Sequence, residues 1–356
     1  MCDEIEKIMQ DRLAGIRSCD EDAMTQCRQR WDSIAKPLRS LGKLEDAIVK
    51  IAGITGTNQV SLAKKALVIL CADNGVVDEG VSQSGQEITA LVAENFLDHN
   101  SCACIMAKRA GADVYPVDIG MVRDTKVTRK KVAYGTKNMA IMPAMSRQEA
   151  LQAIWYGIEI VAELKQAGYQ IIATGEMGIG NTTTSSAVAS VLLSIPVEQM
   201  TGKGAGLSNQ GLIHKIDVIE KAILLHKPDP TDAIDTLAKV GGFDLAGMTG
   251  IFLGGAIYQI PIVIDGFISS VAALAATKID SHVIEYTLPS HVSAEAAGGT
   301  ILKALGLTPF LTCDMCLGEG TGAVSLFPIL DMAMDVYQTM STFEQINMEA
   351  YQPHKL

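Results

Sequence analysis

Short apolar segments that end in acidic or glycine-containing loops, each followed by a helical pattern, recur along this chain. The clearest is Ala66–Cys71, which is continuously apolar and leads into Ala72-Asp73-Asn74-Gly75. An uninterrupted apolar run of this length is typical of a strand buried on both faces. The repeated alternation of such strands with helices predicts a doubly wound, mainly parallel α/β sheet. The other predicted strands are Asp113–Ile119, Tyr169–Thr174, Ile260–Ile264 and Val283–Tyr286.

Helical patterns fill the intervals between these strands. We predict long helices over Glu87–Arg109, Ser146–Ala167 and Val292–Leu305 from their apolar periodicity. Right-handed crossovers bring the carboxyl ends of parallel strands to one edge of the sheet, where ligands bind in such folds. The acidic residues expected to converge at that edge are Asp73, Asp118, Glu176, Asp265 and Glu319.

Charge and cysteine content exclude several classes of function. The formal net charge of −11 argues against a nucleic-acid or anionic-membrane partner. The 8 cysteines and 6 histidines form no zinc-binding pattern, so we predict no metal, no cofactor and free thiols in a reducing cytoplasm. The first ten residues are charged and lack the apolar core of a signal peptide. The longest apolar stretch, Met248–Ile264, contains glycines and a proline, which favours buried core over a membrane span.

A glutamate stands among three glycines in the stretch Leu317-Gly318-Glu319-Gly320-Thr321-Gly322. Glycines allow a sharp turn and a close approach to a ligand. Glu319 is therefore suited to proton transfer, as the catalytic base of a reaction. A structural alternative is a carboxylate that stabilises the start of the next helix through its dipole. The stretch alone favours neither interpretation.

A second glycine-rich stretch, Gly175–Thr184, follows the predicted strand at Tyr169–Thr174. A strand, a glycine turn and a helix N-terminus together form an anion cradle. No lysine follows its last glycine as in a Walker A motif, so a monophosphate fits better than a nucleoside triphosphate. Lys203 and Lys215 are candidate partners of the anion, and Glu176 is a second carboxylate for acid–base chemistry. The alternative is a tight turn and helix cap.

Three other polar residues receive structural interpretations from the sequence. Asp244 and Asp265, taken singly, are typical of helix caps or turns. His291 follows Pro289-Ser290 and is predicted to lie exposed on a loop without a partner.

Several motifs, in order along the chain, together resemble the nicotinate-nucleotide–dimethylbenzimidazole phosphoribosyltransferase (CobT) family. The resemblance is clearest from Leu41 to Tyr337. It implies a Rossmann-like large domain and a small all-helical domain built from both chain ends. The motifs are Lys36-Pro37 with Ser40-Leu41-Gly42, Ala72-Asp73, Gly175–Thr183, Gly241–Asp244 with Met248-Thr249-Gly250, Asp265-Gly266-Phe267, Ser290–Glu295 and Leu317–Gly322.

The resemblance also implies a reaction and its residues. The phosphoribosyl group of nicotinate mononucleotide passes to 5,6-dimethylbenzimidazole, giving α-ribazole 5′-phosphate and nicotinate for the lower nucleotide loop of cobalamin. Glu319 is the implied general base and Glu176 a supporting carboxylate. The family pattern assigns phosphate or ribose binding to Gly178, Gly180, Asn181, Thr182 and Lys215, base binding to Ser82, Gln86 and Leu317, and positions near the nicotinate to Gly318, Gly320, Ser293 and Asp244.

The chain departs from the family pattern beside the implied base pocket. Ser84 and Gly85 stand where an aromatic residue and a proline are common, and Cys316 stands where an arginine is common. Ala296, Ala297 and Gly298 replace a common Pro-Gly-His. The acceptor therefore stays open between dimethylbenzimidazole, another benzimidazole, a purine and a phenolic base.

The family likeness implies a homodimer whose partner subunit closes the active site. It implies a division into a small domain at 1–55, a large catalytic domain at 56–328 and the rest of the small domain at 329–356. Two other functions stay open on the residues alone. One is a phosphate- or nucleotide-binding regulator without catalysis, which needs the glycine cradle but not Glu319. The other is an NAD-linked oxidoreductase.

Overall fold

Six strands form one parallel sheet in the computed structural model, which describes residues 2–204 and 206–351. The strands are β1 (Lys65–Ala72), β2 (Ala112–Gly120), β3 (Thr128–Arg129), β4 (Ile171–Met177), β5 (Ile262–Ile264) and β6 (Thr287–Pro289). Their spatial order is β3-β2-β1-β4-β5-β6. The direction of winding reverses between β1 and β4, and ligand sites in doubly wound folds lie at the carboxyl ends of the strands beside such a reversal.

Helices cover both faces of the sheet, as predicted for a doubly wound fold. They are α1 (Cys2–Leu13), α2 (Glu21–Ser33), α3 (Lys43–Thr55), α4 (Glu87–Leu97), α5 (Cys102–Arg109), α6 (Arg147–Gln166), α7 (Asn181–Leu193), α8 (Val197–Met200), α9 (Asn209–His226), α10 (Ala233–Val240), α11 (Phe243–Tyr258), α12 (Phe267–Ile279), α13 (Gly298–Ala304) and α14 (Thr321–Thr339). Short 3-10 helices span Gly75–Glu79, Ser281–Tyr286 and Glu344–Ile346.

Alternate side chains of β1 enter two separate hydrophobic cores. Val68 and Leu70 pack into a core that includes α6, α7, α11 and α12. Leu67 and Ile69 pack into a second core that includes α3, α4, α5 and α14. Successive side chains of a strand point to opposite faces. Burial of both faces explains why the sequence of this strand is continuously apolar.

Helix α11 is buried along most of its length, in close contact with α6. A Cβ on Gly157 of α6 would collide with the Gly247 carbonyl of α11, and one on Gly250 would collide with the Ile154 carbonyl of α6. Glycine is required where two helix backbones approach so closely. This packing accounts for the apolar stretch from Met248 onward. Among the described helices, none has both the length and the apolar character needed to cross a membrane.

Three predicted elements differ in the structure. The helix predicted over Glu87–Arg109 is two helices, because the chain turns at His99 (φ 55°) and Ser101 begins α5 by accepting a hydrogen bond from the Cys104 amide. The predicted strand at Val283–Tyr286 is a 3-10 helix, and β6 follows it. The helix predicted from Val292 begins only at Gly298, because the preceding residues form a wall of the cavity described below.

The two chain ends meet beside the second core. The rings of Trp31 and Tyr337 lie 5.0 Å apart, and Ile34 forms an antiparallel bridge with Thr342. Helix α1 instead packs against α6 and α11, where Arg12 donates a hydrogen bond to the Tyr258 hydroxyl. Helix α14 runs without interruption across the predicted boundary at 328/329. The division into two domains stays a prediction.

Candidate active site

A cavity of about 250 Å³ opens at the carboxyl edge of the sheet, where β4 and β5 end. Two glycine turns face it: the one between β4 and α7, and the one before α14. The lining residues are Glu176–Ile179, Asn181, Thr182, Gly204, Asp265–Ser269, His291, Ser293, Glu295, Cys316–Glu319 and Thr321. Of the five acidic residues predicted to converge, Glu176, Asp265 and Glu319 line this cavity, whereas Asp73 and Asp118 do not.

Glu319 lies in a turn with an uncommon backbone conformation. Gly318, Glu319 and Gly320 all have left-handed φ angles, of 88°, 59° and 87°. This region costs a residue with a side chain about 1–2 kcal/mol. Glycine is favoured at Gly318 because of its left-handed φ, and a Cβ there would also lie 2.6 Å from Oε1 of Glu176. The turn therefore lies directly against the Glu176 side chain.

Asp265 holds this turn in place from the end of β5. Its carboxylate is buried and accepts hydrogen bonds from the backbone amides of Gly320 (3.2 Å) and Ala323 (3.0 Å). These amides belong to the start of α14, where Gly320 supplies no side-chain cap. A carboxylate at a helix N-terminus also interacts favourably with the helix dipole. Asp265 therefore caps a helix, as predicted, although the Gly320 amide that it accepts from lies 55 residues later in the sequence.

The Glu319 carboxyl is half-buried at the edge of the cavity, and its Oε2 atom has no hydrogen-bond partner among the described residues. Burial raises its pKa above the ordinary value, and the charge of Asp265 raises it further. Hydrogen bonds from the Ala103 amide and the Ser101 hydroxyl, at the start of α5, lower the pKa of Glu319. A carboxylate with a raised pKa is a stronger base than an exposed one.

Glu176 and Asp244 share one amide group beneath the glycine turn between β4 and α7, which we call the phosphate turn. The side-chain nitrogen of Asn181 donates to Oε2 of Glu176 and, at 3.0 Å, to Oδ2 of Asp244. Burial and the charge of Asp244 raise the pKa of Glu176 to about 8, and burial raises the pKa of Asp244 to about 6. Glu176 is thus mostly protonated at neutral pH. Asp244 does not line the cavity and acts on it through Asn181.

The strand, glycine turn and helix N-terminus predicted for the phosphate cradle are present, and phosphate binding stays a prediction. Gly180 adopts a left-handed conformation (φ 91°) and α7 begins directly after it. The buried Lys215 donates from Nζ to Oγ1 of Thr182 at 2.8 Å and to the Gly202 carbonyl at 3.3 Å. Burial lowers the pKa of Lys215 to about 8, although the negative charge of Glu295 acts to raise it. An anion at this turn would receive backbone amides, the helix dipole and a lysine.

The three predicted base-binding residues lie apart. Leu317 is 53% exposed and lines the main cavity. Ser82 lines a second cavity of about 70 Å³, which adjoins the other side of the phosphate turn together with Lys203. Gln86 donates a hydrogen bond to the Asn74 carbonyl at 3.2 Å and lines neither cavity. Their joint contact with one base stays a prediction.

His291 is the residue that the sequence interpretation placed wrongly. It is only 4% exposed and it lines the main cavity. Its Nδ1 atom lies 3.0 Å from the Ser290 hydroxyl. Burial raises the pKa of the neighbouring Asp265, and the interaction with His291 opposes this rise. The presence of His291 within the family motif Ser290–Glu295 was the sequence feature that could have predicted a position in the site. Ser293 lines the cavity and Gly320 does not, and their position near the nicotinate stays a prediction.

Comparisons with known proteins bear on the identity of the site. A family model described as "Phosphoribosyltransferase" matches residues 16–348. A protein of Acetivibrio thermocellus named nicotinate-nucleotide–dimethylbenzimidazole phosphoribosyltransferase is 48% identical to this chain, over 96% of the chain and 98% of its own length. The chain belongs to this phosphoribosyltransferase family. A Clostridium acetobutylicum member with the same name is 47% identical, over 98% of the chain and 99% of its own length.

Solved structures of the phosphoribosyltransferase family share the fold. The crystal structure of CobT from Thermus thermophilus has a TM-score of 0.87 and 35% identity, covering 92% of this chain and 99% of the other. The predicted parallel Rossmann-like fold is thereby confirmed. Among the described residues, no group of three or more His, Cys, Asp and Glu side chains is arranged to hold a metal ion.

Proposed function

We propose that this protein transfers the phosphoribosyl group of nicotinate mononucleotide to 5,6-dimethylbenzimidazole or a related base. The products are nicotinate and α-ribazole 5′-phosphate, for the lower nucleotide loop of cobalamin. The names of its relatives support this pair of substrates. The observation that carries the proposal is the placement of the phosphate turn and the Glu319 carboxyl around one cavity.

The proposed chemistry balances with one proton transfer. One nitrogen of the azole attacks the anomeric carbon of the ribose, and the bond from that carbon to the pyridinium nitrogen breaks. The bonding pair returns to the ring, which leaves as neutral-ring nicotinate, so this leaving group needs no proton. Glu319 takes the proton from the second azole nitrogen. Attack opposite the leaving group converts the β-nucleotide to the α-anomer.

Glu176 supports this step from the floor of the cavity. Positive charge develops on the ribose as the bond to nicotinate lengthens. This charge favours the ionised form of the fixed Glu176 carboxyl, and the carboxylate in turn stabilises it. Asn181 and Asp244 fix the orientation of Glu176 through the shared amide. Because Asp244 lies behind Asn181, we assign it a positioning role.

The rate is expected to fall as the pH decreases through the raised pKa of Glu319, because only the ionised carboxylate accepts the proton. Ser101 lowers that pKa, so Ser101→Ala should move the acid limb of kcat/KM to higher pH. The loss of this helix cap also lowers the free energy of unfolding by about 1 kcal/mol. An acid limb that stays in place in Ser101→Ala would show that another group titrates.

A panel of acceptor bases tests the proposed reaction. The protein is incubated with nicotinate mononucleotide and either 5,6-dimethylbenzimidazole, unsubstituted benzimidazole, adenine or a phenol, and the products are identified by mass and by chromatography against standards. We expect a ribosyl phosphate of at least one azole. Absence of a nucleotide product with every base would overturn the proposal.

We also propose that the protein is a cytoplasmic homodimer with the two-domain division implied by its family. Ile105 of α5 and Met332 of α14 are about 60% exposed on helices that pack together, as apolar residues of a subunit interface are. Ile105→Glu should shift the mass in solution, measured by light scattering, from dimer toward monomer. A wild-type monomer would contradict the dimer.

A further inference from the structure

Two exposed cysteines stand three residues apart just before the turn formed by Gly318, Glu319 and Gly320, which we call the Glu319 turn. They are Cys313 and Cys316, and both are free thiols. Cys316 lines the main cavity, whereas Cys313 does not. Neither thiol takes part in the proposed transfer. A Cys-x-x-Cys pair can interconvert between a dithiol and a disulfide, so this pair requires its own interpretation.

Three backbone contacts hold the segment that carries the two cysteines. The Leu311 carbonyl accepts a hydrogen bond from the Val292 amide at 3.1 Å. The Met315 carbonyl accepts one from the Ala294 amide at 3.0 Å. The third contact is that of the Glu319 turn, which is bound to the end of β5. A change in the shape of this segment therefore breaks or strains at least one of these contacts.

The backbone between the two cysteines does not have the compact shape that a disulfide requires. Cys313 precedes the Met315 contact and Cys316 follows it, and no turn or bend lies within residues 312–318. A chain without a turn separates Cα atoms three residues apart by up to about 10 Å. A disulfide requires Cα atoms within about 7 Å of each other. The formation of a disulfide must therefore bend the segment, at the expense of the Met315 contact or the Glu319 turn.

We propose that Cys313 and Cys316 form a reversible disulfide that inactivates the protein, with a low-molecular-weight disulfide as the oxidant. This inference rests on the proposed function. The bend that closes the disulfide moves the Glu319 carboxyl away from the azole proton that it accepts. A misplacement of about 1 Å in an active site lowers a rate by about 100-fold. The reduced pair leaves the segment in the shape described above, which is the active form.

The exchange balances in two steps. The thiolate of one cysteine attacks a sulfur of the oxidant, so that a mixed disulfide forms and one thiol of the oxidant leaves. The thiolate of the second cysteine then attacks the protein sulfur of the mixed disulfide. The bond between Cys313 and Cys316 forms, and the second thiol of the oxidant leaves. The two cysteines lose two electrons in total, and the oxidant is reduced to two thiols. An excess of a thiol reductant reverses both steps.

Oxidised glutathione tests the inference on the full chain. Wild-type protein is incubated with it, the crosslink is located by mass spectrometry of peptides, and transfer to 5,6-dimethylbenzimidazole is measured before and after treatment with dithiothreitol. We expect a Cys313–Cys316 crosslink and a transfer rate about 100-fold lower, which dithiothreitol restores. An unmodified chain, a stable glutathione adduct in place of the crosslink, or an unchanged rate of the crosslinked protein would overturn the inference.

Two variants separate the pair from Cys102, another exposed thiol, at the start of α5. For each variant the rate with oxidised glutathione is compared with its own rate without it. The double variant Cys313→Ser/Cys316→Ser should keep its rate, whereas Cys102→Ser should lose activity as the wild type does. Both cysteines of the pair are exposed, so serine should leave the fold intact. Inactivation of the double variant, or a crosslink that includes Cys102, would contradict the assignment.

Failure of the proposed function would be seen differently from failure of this inference. The crosslink is located by mass and does not depend on turnover. If the proposed function fails, the reduced wild-type protein gives no nucleotide product with any base. If only the inference fails, the reduced protein is active and the oxidant produces no crosslink or no loss of rate.

Discussion

Glu319→Gln is expected to lower turnover by about 100- to 10,000-fold, the contribution of a positioned general base. Binding of nicotinate mononucleotide should change by less than about threefold, because the amide preserves the shape of the side chain. A glutamine cannot accept the azole proton, so the attack would leave a cationic product. The measurement is steady-state kcat with saturating dimethylbenzimidazole, together with the nucleotide dissociation constant. Because Glu319 is half-buried, removal of its charge should not destabilise the fold.

The matched control for this variant is Glu198→Gln, which removes an exposed carboxylate on α8. It should keep wild-type turnover. Turnover of Glu319→Gln within a few-fold of the wild type would contradict the assignment of the base. In that case the glutamate turn would have only the structural function that the sequence left open.

Lys215→Met is expected to raise the KM for nicotinate mononucleotide by about 10- to 100-fold, with a much smaller change in kcat. The buried ammonium group contacts Thr182 at the phosphate turn, and a charge-assisted contact with a phosphate contributes about 1.5–3 kcal/mol. Methionine keeps the length of the side chain without the charge. Burial already lowers the pKa of Lys215 to about 8, so its loss should not lower the free energy of unfolding strongly.

Lys203→Met is the matched control for the phosphate assignment. Lys203 is exposed and lines the smaller cavity, and its side chain makes no hydrogen bond to the described residues. We expect the KM of this variant to rise by less than about threefold. A larger effect from Lys203 than from Lys215 would show that the phosphate lies in the smaller cavity.

The sequence was sufficient to predict four of the six strands, β1, β2, β4 and β5, and the position of the site. Buried parallel strands such as β1 are continuously apolar, and a glycine turn after β4 has a distinct composition. Once the strands are parallel, connection rules bring their carboxyl ends together. The shared position of Glu176, Asp265 and Glu319 therefore followed without any knowledge of the contacts.

Contacts between distant segments could not be predicted from local patterns. The Asp265 carboxylate caps a helix that begins more than 50 residues later, which no periodicity reveals. His291 has polar sequence neighbours that favoured an exposed position, but packing on Gly322 buries it. The break between α4 and α5 depends on one left-handed residue, His99, and this conformation is uncommon outside glycine. The positions of Ser82 and Gln86 relative to Leu317 also depend on loop packing.

The stoichiometry of the reaction is the most direct test of phosphoribosyl transfer in this cavity. Wild-type protein is incubated with nicotinate mononucleotide and 5,6-dimethylbenzimidazole, and nicotinate and ribosyl azole phosphate are quantified in the same samples. Transfer predicts equal amounts of the two products at every time point, with the azole nucleotide in the α configuration. Release of nicotinate without the azole nucleotide, or formation of neither product, would contradict it.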